Sequence, residues 1–183
     1  RSKKDAPIVV MPTSWYRNNW KWGYNEYKGQ LEDSHEGCIN INHNSIALKK
    51  FYSKNKNAER AFCDNETNNP KLYGSPETEN AYYKDGINDY VIHQKNTINP
   101  ERKGSKASFI IEAEVKAGQS EVFEFRLTQN ELDDPFYDFE SIFNARISEA
   151  NEFYGDIQQD VPNEDERNVQ RQAFAGLLWN KQF

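Results

Sequence analysis

Residues 107–127 carry the pattern that decides the fold: Ala107-Ser-Phe-Ile-Ile-Glu-Ala-Glu-Val115, then Val122-Phe-Glu-Phe-Arg-Leu127. Apolar and polar side chains alternate in both runs, and the turn-like sequence Lys116-Ala-Gly-Gln119 separates them. Successive side chains of a strand point to opposite faces, so this alternation predicts a hairpin with one apolar and one polar face. Such a hairpin is typical of an antiparallel sheet that is covered on one side.

Shorter strand signals precede this hairpin. A strand is predicted over residues 7–16, which begin Pro7-Ile-Val-Val-Met11, and a second short strand over residues 37–41. Two further strands are predicted over 46–52 and 58–64, joined by a turn rich in Ser and Asn. Residues 65–105 are polar and predict a long loop, and loops of that length are often functional.

From residue 134 the apolar period changes from 2 to 3.6, which indicates two helices. The first is predicted to start at Asp134-Pro135 and to end at Gly155, with a stripe made of Phe139, Ile142, Phe143, Ile147, Ala150 and Tyr154. The second starts near Asn163, whose side chain suits a helix cap before an acidic first turn. The predicted fold class is mainly β: an antiparallel β-sandwich over residues 1–130, then two C-terminal helices over 131–183.

Composition narrows the possible partners. The 183 residues suit one domain, or one domain plus an appendage, and the net charge of −6 with a pI near 5.2 argues against nucleic acid and anionic membranes. The two cysteines, Cys38 and Cys63, match no zinc spacing and are interpreted as small buried thiols. We expect no metal and no cofactor. The compartment stays open, with a cytoplasmic location favoured.

An aromatic cluster near the start suggests carbohydrate binding. Residues 11–23 read Met-Pro-Thr-Ser-Trp-Tyr-Arg-Asn-Asn-Trp-Lys-Trp-Gly, so that Trp15, Trp20 and Trp22 stand close to Arg17. Flat rings stack on the C–H faces of sugars, while amide and guanidinium groups pair with sugar hydroxyls. The alternative is a strand whose tryptophans belong to the core.

Two polar segments in the predicted long loop are further candidates. Lys84-Asp-Gly-Ile-Asn-Asp-Tyr90 is interpreted either as a hairpin turn or as a loop that presents two carboxylates and an amide to a sugar. Asn65-Glu-Thr-Asn-Asn69 is either a capped turn or a second binding loop. The candidate substrate-binding residues are therefore Arg17, Trp20, Trp22, Asn65, Glu66, Asp85, Asn88 and Asp89.

Six segments, taken in order and spacing, resemble the mannosyl-oligosaccharide glucosidases, glycoside hydrolase family 63 in the broad sense. They are residues 11–23, residues 64–69 with Leu72-Tyr-Gly74, residues 83–91, Asn99-Pro100 with residues 104–107, Asp134-Pro-Phe136, and Leu178-Trp-Asn-Lys-Gln-Phe183. The resemblance implies a supersandwich-like β domain, present here in part, followed by linker helices that lead into an (α/α)6 catalytic barrel. The apolar residues at the end of the second helix also predict a piece of a longer protein.

The resemblance implies an activity for the parent protein rather than for this segment. Family members hydrolyse glucosidic bonds in oligosaccharides or small glucosides, typically with inversion, and their catalytic carboxylates lie in the barrel. No residue here matches those catalytic motifs, so we expect no catalytic residue in this chain and no activity from it alone. Its expected partners are the barrel of the same polypeptide and, through it, a glucose-containing substrate. A free-standing carbohydrate-binding module and a structural interaction domain remain as alternatives.

Overall fold

The computed structural model describes residues 3–17, 29–35 and 37–180, and the chain divides into two compact units. The first unit is Arg1–Pro135 and the second is Phe136–Phe183. Antiparallel sheets dominate the first unit, which is mainly β, and two long helices make up the described part of the second.

The described residues of the first unit form nine strands and two short helices. The strands are β1 (Ala6–Val10), β2 (Thr13–Trp15), β3 (Gln30–Asp33), β4 (Cys38–Asn42), β5 (Lys50–Ser53), β6 (Glu59–Cys63), β7 (Lys103–Gly104), β8 (Lys106–Val115) and β9 (Phe125–Thr128). The helices are α1 (Asn69–Tyr73) and α2 (Gly86–His93). In the second unit, α3 spans Phe139–Ile157 and α4 spans Glu164–Trp179.

Strand β8 organises the first sheet. Along one of its edges β1 pairs with residues 111–115 and β2 with residues 106–108, and β6 pairs with residues 106–110. The strand predicted over 7–16 is thus two strands, interrupted at Met11-Pro12. Pro12 has no N–H to donate to the ladder, but its carbonyl still accepts from the backbone of Phe109 at 3.2 Å.

The second sheet has five antiparallel strands in the order β7-β3-β4-β5-β9. Its inward side chains, among them Leu31, Ile39 and Phe51, share one core with Phe109 and Ile111 of β8. The rings of Phe51 and Phe109 meet edge to face with centroids 5.0 Å apart. The two sheets therefore pack against each other through one apolar layer.

A second apolar layer covers the other face of β8. Ile110 of β8 and Cys63 of β6 pack there against Ile87 of α2, with Tyr90 and Ile98 at the margin. Because cores lie on both sides, residues 107–111 are all buried, and only the far end of β8 alternates between exposed and half-buried side chains. The prediction of one apolar and one polar face is right for that end alone.

The hairpin predicted over residues 107–127 is wrong in its pairing. Strand β9 pairs with β5 and not with β8, so residues 116–124 carry the chain from one sheet to the other. Likewise β5 and β6 lie in different sheets, although the segment between them suits a turn. Alternation identifies a strand and its faces, but a partner strand is chosen by the packing of the whole domain.

Two other boundaries differ from the predictions. The segment 65–105 contains α1 and α2 rather than a continuous loop. Helix α3 begins at Phe139 rather than at Pro135, and Gly155 lies inside it. The start of α4 is confirmed, because Asn163 caps it and accepts a hydrogen bond from the backbone N–H of Asp165 at 2.9 Å.

Cys38 and Cys63 are both buried, free thiols, as the sequence predicts. They lie on strands of different sheets. Burial is the largest cause that raises the pKa of the Cys63 thiol to about 12. A thiol of this kind stays protonated at neutral pH and is a poor nucleophile.

Candidate functional site

The segment 84–90 is the start of helix α2 and not a loop. Asp85 is the cap residue, Gly86 is the first helical residue, and Ile87 faces the second core. Asp85 and Asp89 are one helical turn apart, so their carboxylates lie on the same side of the helix. Local spacing therefore brings the two predicted acids together, and burial of Ile87 fixes the direction in which they point.

These two acids belong to a group that we call the Asp85 cluster: Asn68, Lys71, Asp85, Asp89 and Lys95. The Lys71 ammonium lies 2.9 Å from Oδ2 of Asp85 and 3.5 Å from Oδ2 of Asp89, so it bridges the two carboxylates. Lys95 approaches Asp89 at 3.1 Å. Each carboxylate thus has a cation beside it.

Asn68 joins the two short helices. Its side-chain oxygen caps α1 by accepting from the backbone N–H of Lys71 at 3.1 Å. Its side-chain nitrogen lies 3.2 Å from both oxygens of Asp85. One amide therefore caps the start of α1 and holds the carboxylate at the start of α2.

The cluster keeps both carboxylates ionised. Partial burial raises the pKa of Asp85, but the hydrogen bonds from Lys71 and Asn68 outweigh it and leave the pKa below its usual range. The hydrogen bond from Lys95, helped by Lys71, lowers the pKa of Asp89 despite the opposing effect of desolvation. Neither group is suited to act as a general acid at neutral pH, since that role needs a raised pKa.

Two hydrogen bonds to backbone carbonyls connect the chain segments that carry other described candidates. The Asn65 side chain donates to the carbonyl of Tyr16 at 2.9 Å, next to Arg17. The backbone of Lys84 donates to the carbonyl of Glu66 at 3.0 Å, one residue before Asp85. Asn88 is exposed on α2, and Arg17 is exposed after β2. The segments that carry Arg17, Glu66 and Asp85 therefore lie next to one another in the fold.

Of the three tryptophans in the aromatic cluster, Trp15 is the one whose environment the structure describes. Trp20 and Trp22 lie outside the described residues. Trp15 ends β2 opposite Lys106 and is 59% exposed, so it is not a core residue. Tyr16 stacks on His43 with ring centroids 5.2 Å apart, and its hydroxyl donates to the carbonyl of Asn42 at 3.3 Å.

Sequence reasoning missed the two lysines of the cluster. Lys71 and Lys95 stand 14 and 6 residues from the acids that they contact, Asp85 and Asp89 respectively. No local period relates such positions. The Asn68-Asn-Pro70 sequence was the available signal, since Asn before Pro suits a helix cap that would place Lys71 in the first turn.

Metal chemistry receives no support from the part of the chain that the structure describes. There, no three His, Cys, Asp or Glu side chains come together as a metal site requires. Within the same residues, no helix combines the length and the apolar character needed to cross a bilayer.

Comparison with known proteins adds one relative. No family model matches the chain, and no solved structure matches it. The uncharacterized protein YMR196W of Saccharomyces cerevisiae is 30% identical over 221 aligned residues, which include all of this chain. The chain spans about a fifth (20%) of the length of that relative.

Proposed function

We propose that this chain is a non-catalytic β-sandwich segment of a glycoside hydrolase similar to family 63. The whole protein cleaves glucosidic bonds in oligosaccharides or small glucosides with inversion. The sheets of this segment pack on an (α/α)6 barrel of the same polypeptide, and α3 and α4 lead toward it.

The six sequence segments in register, residues 11–183, are the observation that carries this proposal. Two antiparallel sheets followed by two amphipathic helices agree with the order of domains in that family. The matched segment is about a fifth (20%) of the yeast relative, a length that leaves room for a separate catalytic domain there.

The ionisation of the Asp85 cluster supports a non-catalytic role. Glycoside hydrolysis needs one carboxyl group with a raised pKa as the acid and a second carboxylate as the base or nucleophile. Asp85 and Asp89 both have lowered pKa values and both are paired with lysine. Such a cluster can orient sugar hydroxyls, but it does not supply the acid.

The candidate binding residues border the substrate pocket in this proposal. The contacts of Asn65 with Tyr16 and of Glu66 with Lys84 support it, because they bring together the chain segments that carry Arg17, Glu66 and Asp85. Trp20, Trp22, Asn88 and Asp89 are the remaining members of the proposed border.

The test uses the whole natural protein, assayed on glucose disaccharides and oligosaccharides, with NMR to identify the anomer first released. We expect hydrolysis with inversion, and no hydrolysis by the 183-residue chain alone.

Variants of the whole protein test the proposed binding residues. Asp85→Ala and Trp22→Ala should raise KM or lower kcat, whereas Glu112→Gln, at an exposed site on β8, should change neither. No turnover of any glucoside by the whole protein contradicts the proposed activity. Unchanged kinetics with lower stability assigns Asp85 a purely structural role.

The second candidate is a free-standing carbohydrate-binding module, which the exposed ring of Trp15 favours (59%). Calorimetric titration of the 183-residue chain with glucose disaccharides separates the two functions. A binding module takes up sugar by itself. A segment that only borders the pocket of a barrel does not.

A further inference from the structure

Trp15 lies on the face of the first sheet that carries helix α2. In the ladder between β2 and β8, Trp15 is directly opposite Lys106, so their side chains share one face. Two residues earlier, Thr13 is opposite Ser108, and their hydroxyl groups are 3.0 Å apart. Because every second side chain of a strand points the same way, Ile110 of β8 is on this face as well, and it packs beneath α2. Trp15 and α2 therefore occupy the same side of the sheet.

Lys106 connects Trp15 with the start of α2. Its ammonium group donates to the carbonyl of Lys84 at 2.7 Å, and the next residue, Asp85, is the cap residue of the helix. On the other side of β8, Lys106 is opposite Cys63, which packs against α2 in the second core. Neighbouring strands lie about 4.8 Å apart, so the backbone of Trp15 is roughly 10 Å from that of Cys63. The tryptophan therefore stands beside the first turn of α2.

This face of the sheet changes from covered to open at Trp15. Cys63 and Ile110 are buried and Thr13 is half-buried, whereas Trp15 is exposed. Tryptophan is highly buried on average in folded proteins. An exposed indole ring beside ordered polar groups offers a flat apolar surface to a ligand that has both C–H faces and hydroxyl groups.

The polar group beside the ring suits a ligand hydroxyl. An ammonium group has several N–H donors, and the carbonyl of Lys84 takes one of those of Lys106. Since directly opposite side chains of an antiparallel pair have their Cβ atoms about 5 Å apart, the Lys106 side chain extends along the edge of whatever stacks on Trp15. A pyranose ring combines an apolar face with hydroxyl groups at its edge.

We propose that Trp15 is the stacking platform for one pyranose unit of an oligosaccharide and that Lys106 donates to a hydroxyl of the same unit. This inference rests on the proposed function. The catalytic carboxylates of that function lie in the barrel, so the unit on Trp15 is not the glucose whose bond is cleaved. The site therefore favours oligosaccharides over simple glucosides as substrates.

Steady-state kinetics of the whole natural protein test this assignment with a glucose trisaccharide and a nitrophenyl glucoside of the same anomeric configuration. We expect Trp15→Ala to raise KM for the trisaccharide at least about fivefold and to leave kcat and KM for the nitrophenyl glucoside within about twofold. Trp15→Phe keeps a flat ring and should stay within about threefold of the parent KM for the trisaccharide.

The Lys106 variants test the hydrogen bond separately. Lys106→Met keeps the apolar stem but removes the N–H donors, so it should raise KM for the trisaccharide alone, and Lys106→Arg should restore most of the loss. Val9→Ala is the matched control. Val9 is an exposed apolar residue on the same face, opposite Glu112 and about 20 Å along β8 from Lys106, and its substitution should change neither substrate.

The two substrates separate the possible failures. Hydrolysis of neither substrate by the parent protein overturns the proposed function and this inference with it. Hydrolysis by the parent protein with unchanged trisaccharide kinetics in Trp15→Ala overturns this inference alone. Equal losses on both substrates, together with a lower urea midpoint, also overturn it, because they assign Trp15 a structural role.

Discussion

At the scale of single residues, Gly86 shows most clearly how close packing dictates a residue type. A Cβ atom at this position would lie 2.3 Å from the carbonyl oxygen of Thr97, closer than any ordinary contact. The Thr97 hydroxyl also donates to the carbonyl of Gly86 at 2.7 Å. Helix α2, which carries Asp85 and Asp89, is thus seated against the segment that follows it.

We therefore expect Gly86→Ala to lower the free energy of unfolding by about 1–3 kcal/mol, because backbone must move to admit the methyl group. The matched control is Gly155→Ala, where a Cβ meets nothing within 4 Å and the residue lies inside α3. That substitution should be neutral, or stabilise by up to about 1 kcal/mol through helix propensity. Urea unfolding curves compare the two, and equal effects would contradict the close approach.

Asp33 forms ion pairs with two arginines that are distant from it in the sequence. Arg102 lies 2.7 Å from one of its oxygens, and Arg60 pairs with the other. Partial burial raises the pKa of Asp33, but the hydrogen bonds and charges of the two guanidinium groups outweigh it and lower the pKa. The carboxylate connects β3, β6 and the turn before β7.

A lowered pKa in the folded state gives a stability contribution that is complete above the unfolded pKa of about 3.9 and is lost as the pH falls through the folded value. Asp33→Asn should therefore lower the urea midpoint at pH 7, and the difference from the parent chain should shrink at pH 3. Asp133→Asn, at an exposed carboxylate, is the control and should leave the midpoint unchanged at pH 7. A constant difference for Asp33→Asn at both pH values would contradict the ion pairs.

At the scale of secondary-structure elements, β8 contributes to both apolar cores of the first unit. It pairs with three strands, and residues 107–111 are buried between the core shared by the sheets and the core beneath α2. Side chains at successive positions of one strand therefore stabilise different layers. A change at Phe109 acts on the first core, and a change at Ile110 acts on the second.

We expect Phe109→Ala to cost about 3–5 kcal/mol and the milder Ile110→Val about 0.5–1.5 kcal/mol, because both side chains are almost fully buried. Glu112→Ala, at the exposed end of the same strand, should change stability by less than about 0.5 kcal/mol. Urea midpoints followed by near-ultraviolet circular dichroism measure all three. A small effect at Ile110 would show that the layer under α2 does not stabilise the sheet.

At the scale of the whole molecule, the two units differ in how they are stabilised. The first has two apolar cores, whereas α3 and α4 contain no buried residue. Helices without a buried face are marginal in water, since most helical stability in proteins comes from packing. The two units should therefore not unfold together.

In urea, the circular dichroism at 222 nm should fall at lower concentration than the near-ultraviolet signal of the packed aromatic residues. Coincident transitions of the two signals would contradict independent stability of the units.

In the candidate site, the ion pairing of Asp85 and Asp89 could not be predicted from the sequence. The spacing of Asp85 and Asp89 places them on one side of a helix once the helix is known, but the local sequence Asp85-Gly86 suits a turn equally well. Whether they are free acids or paired carboxylates depends on Lys71 and Lys95, which arrive from α1 and from the segment after α2. Such ion pairs depend on contacts between residues that are far apart in the sequence, and the periodicity of side chains along a helix does not predict them.

Local physical chemistry in the sequence by itself determined the positions of most strands, the two long helices, the Asn163 cap and the burial of both cysteines. Each follows from side-chain period, cap chemistry or hydrophobicity within a few residues. Only the tertiary structure decided that β8 and β9 lie in different sheets, that β8 is buried on both faces, and that Lys71 joins Asp85 to Asp89. These features depend on residues far apart in the chain, and the free energy of the whole packed domain selects among several locally equivalent pairings.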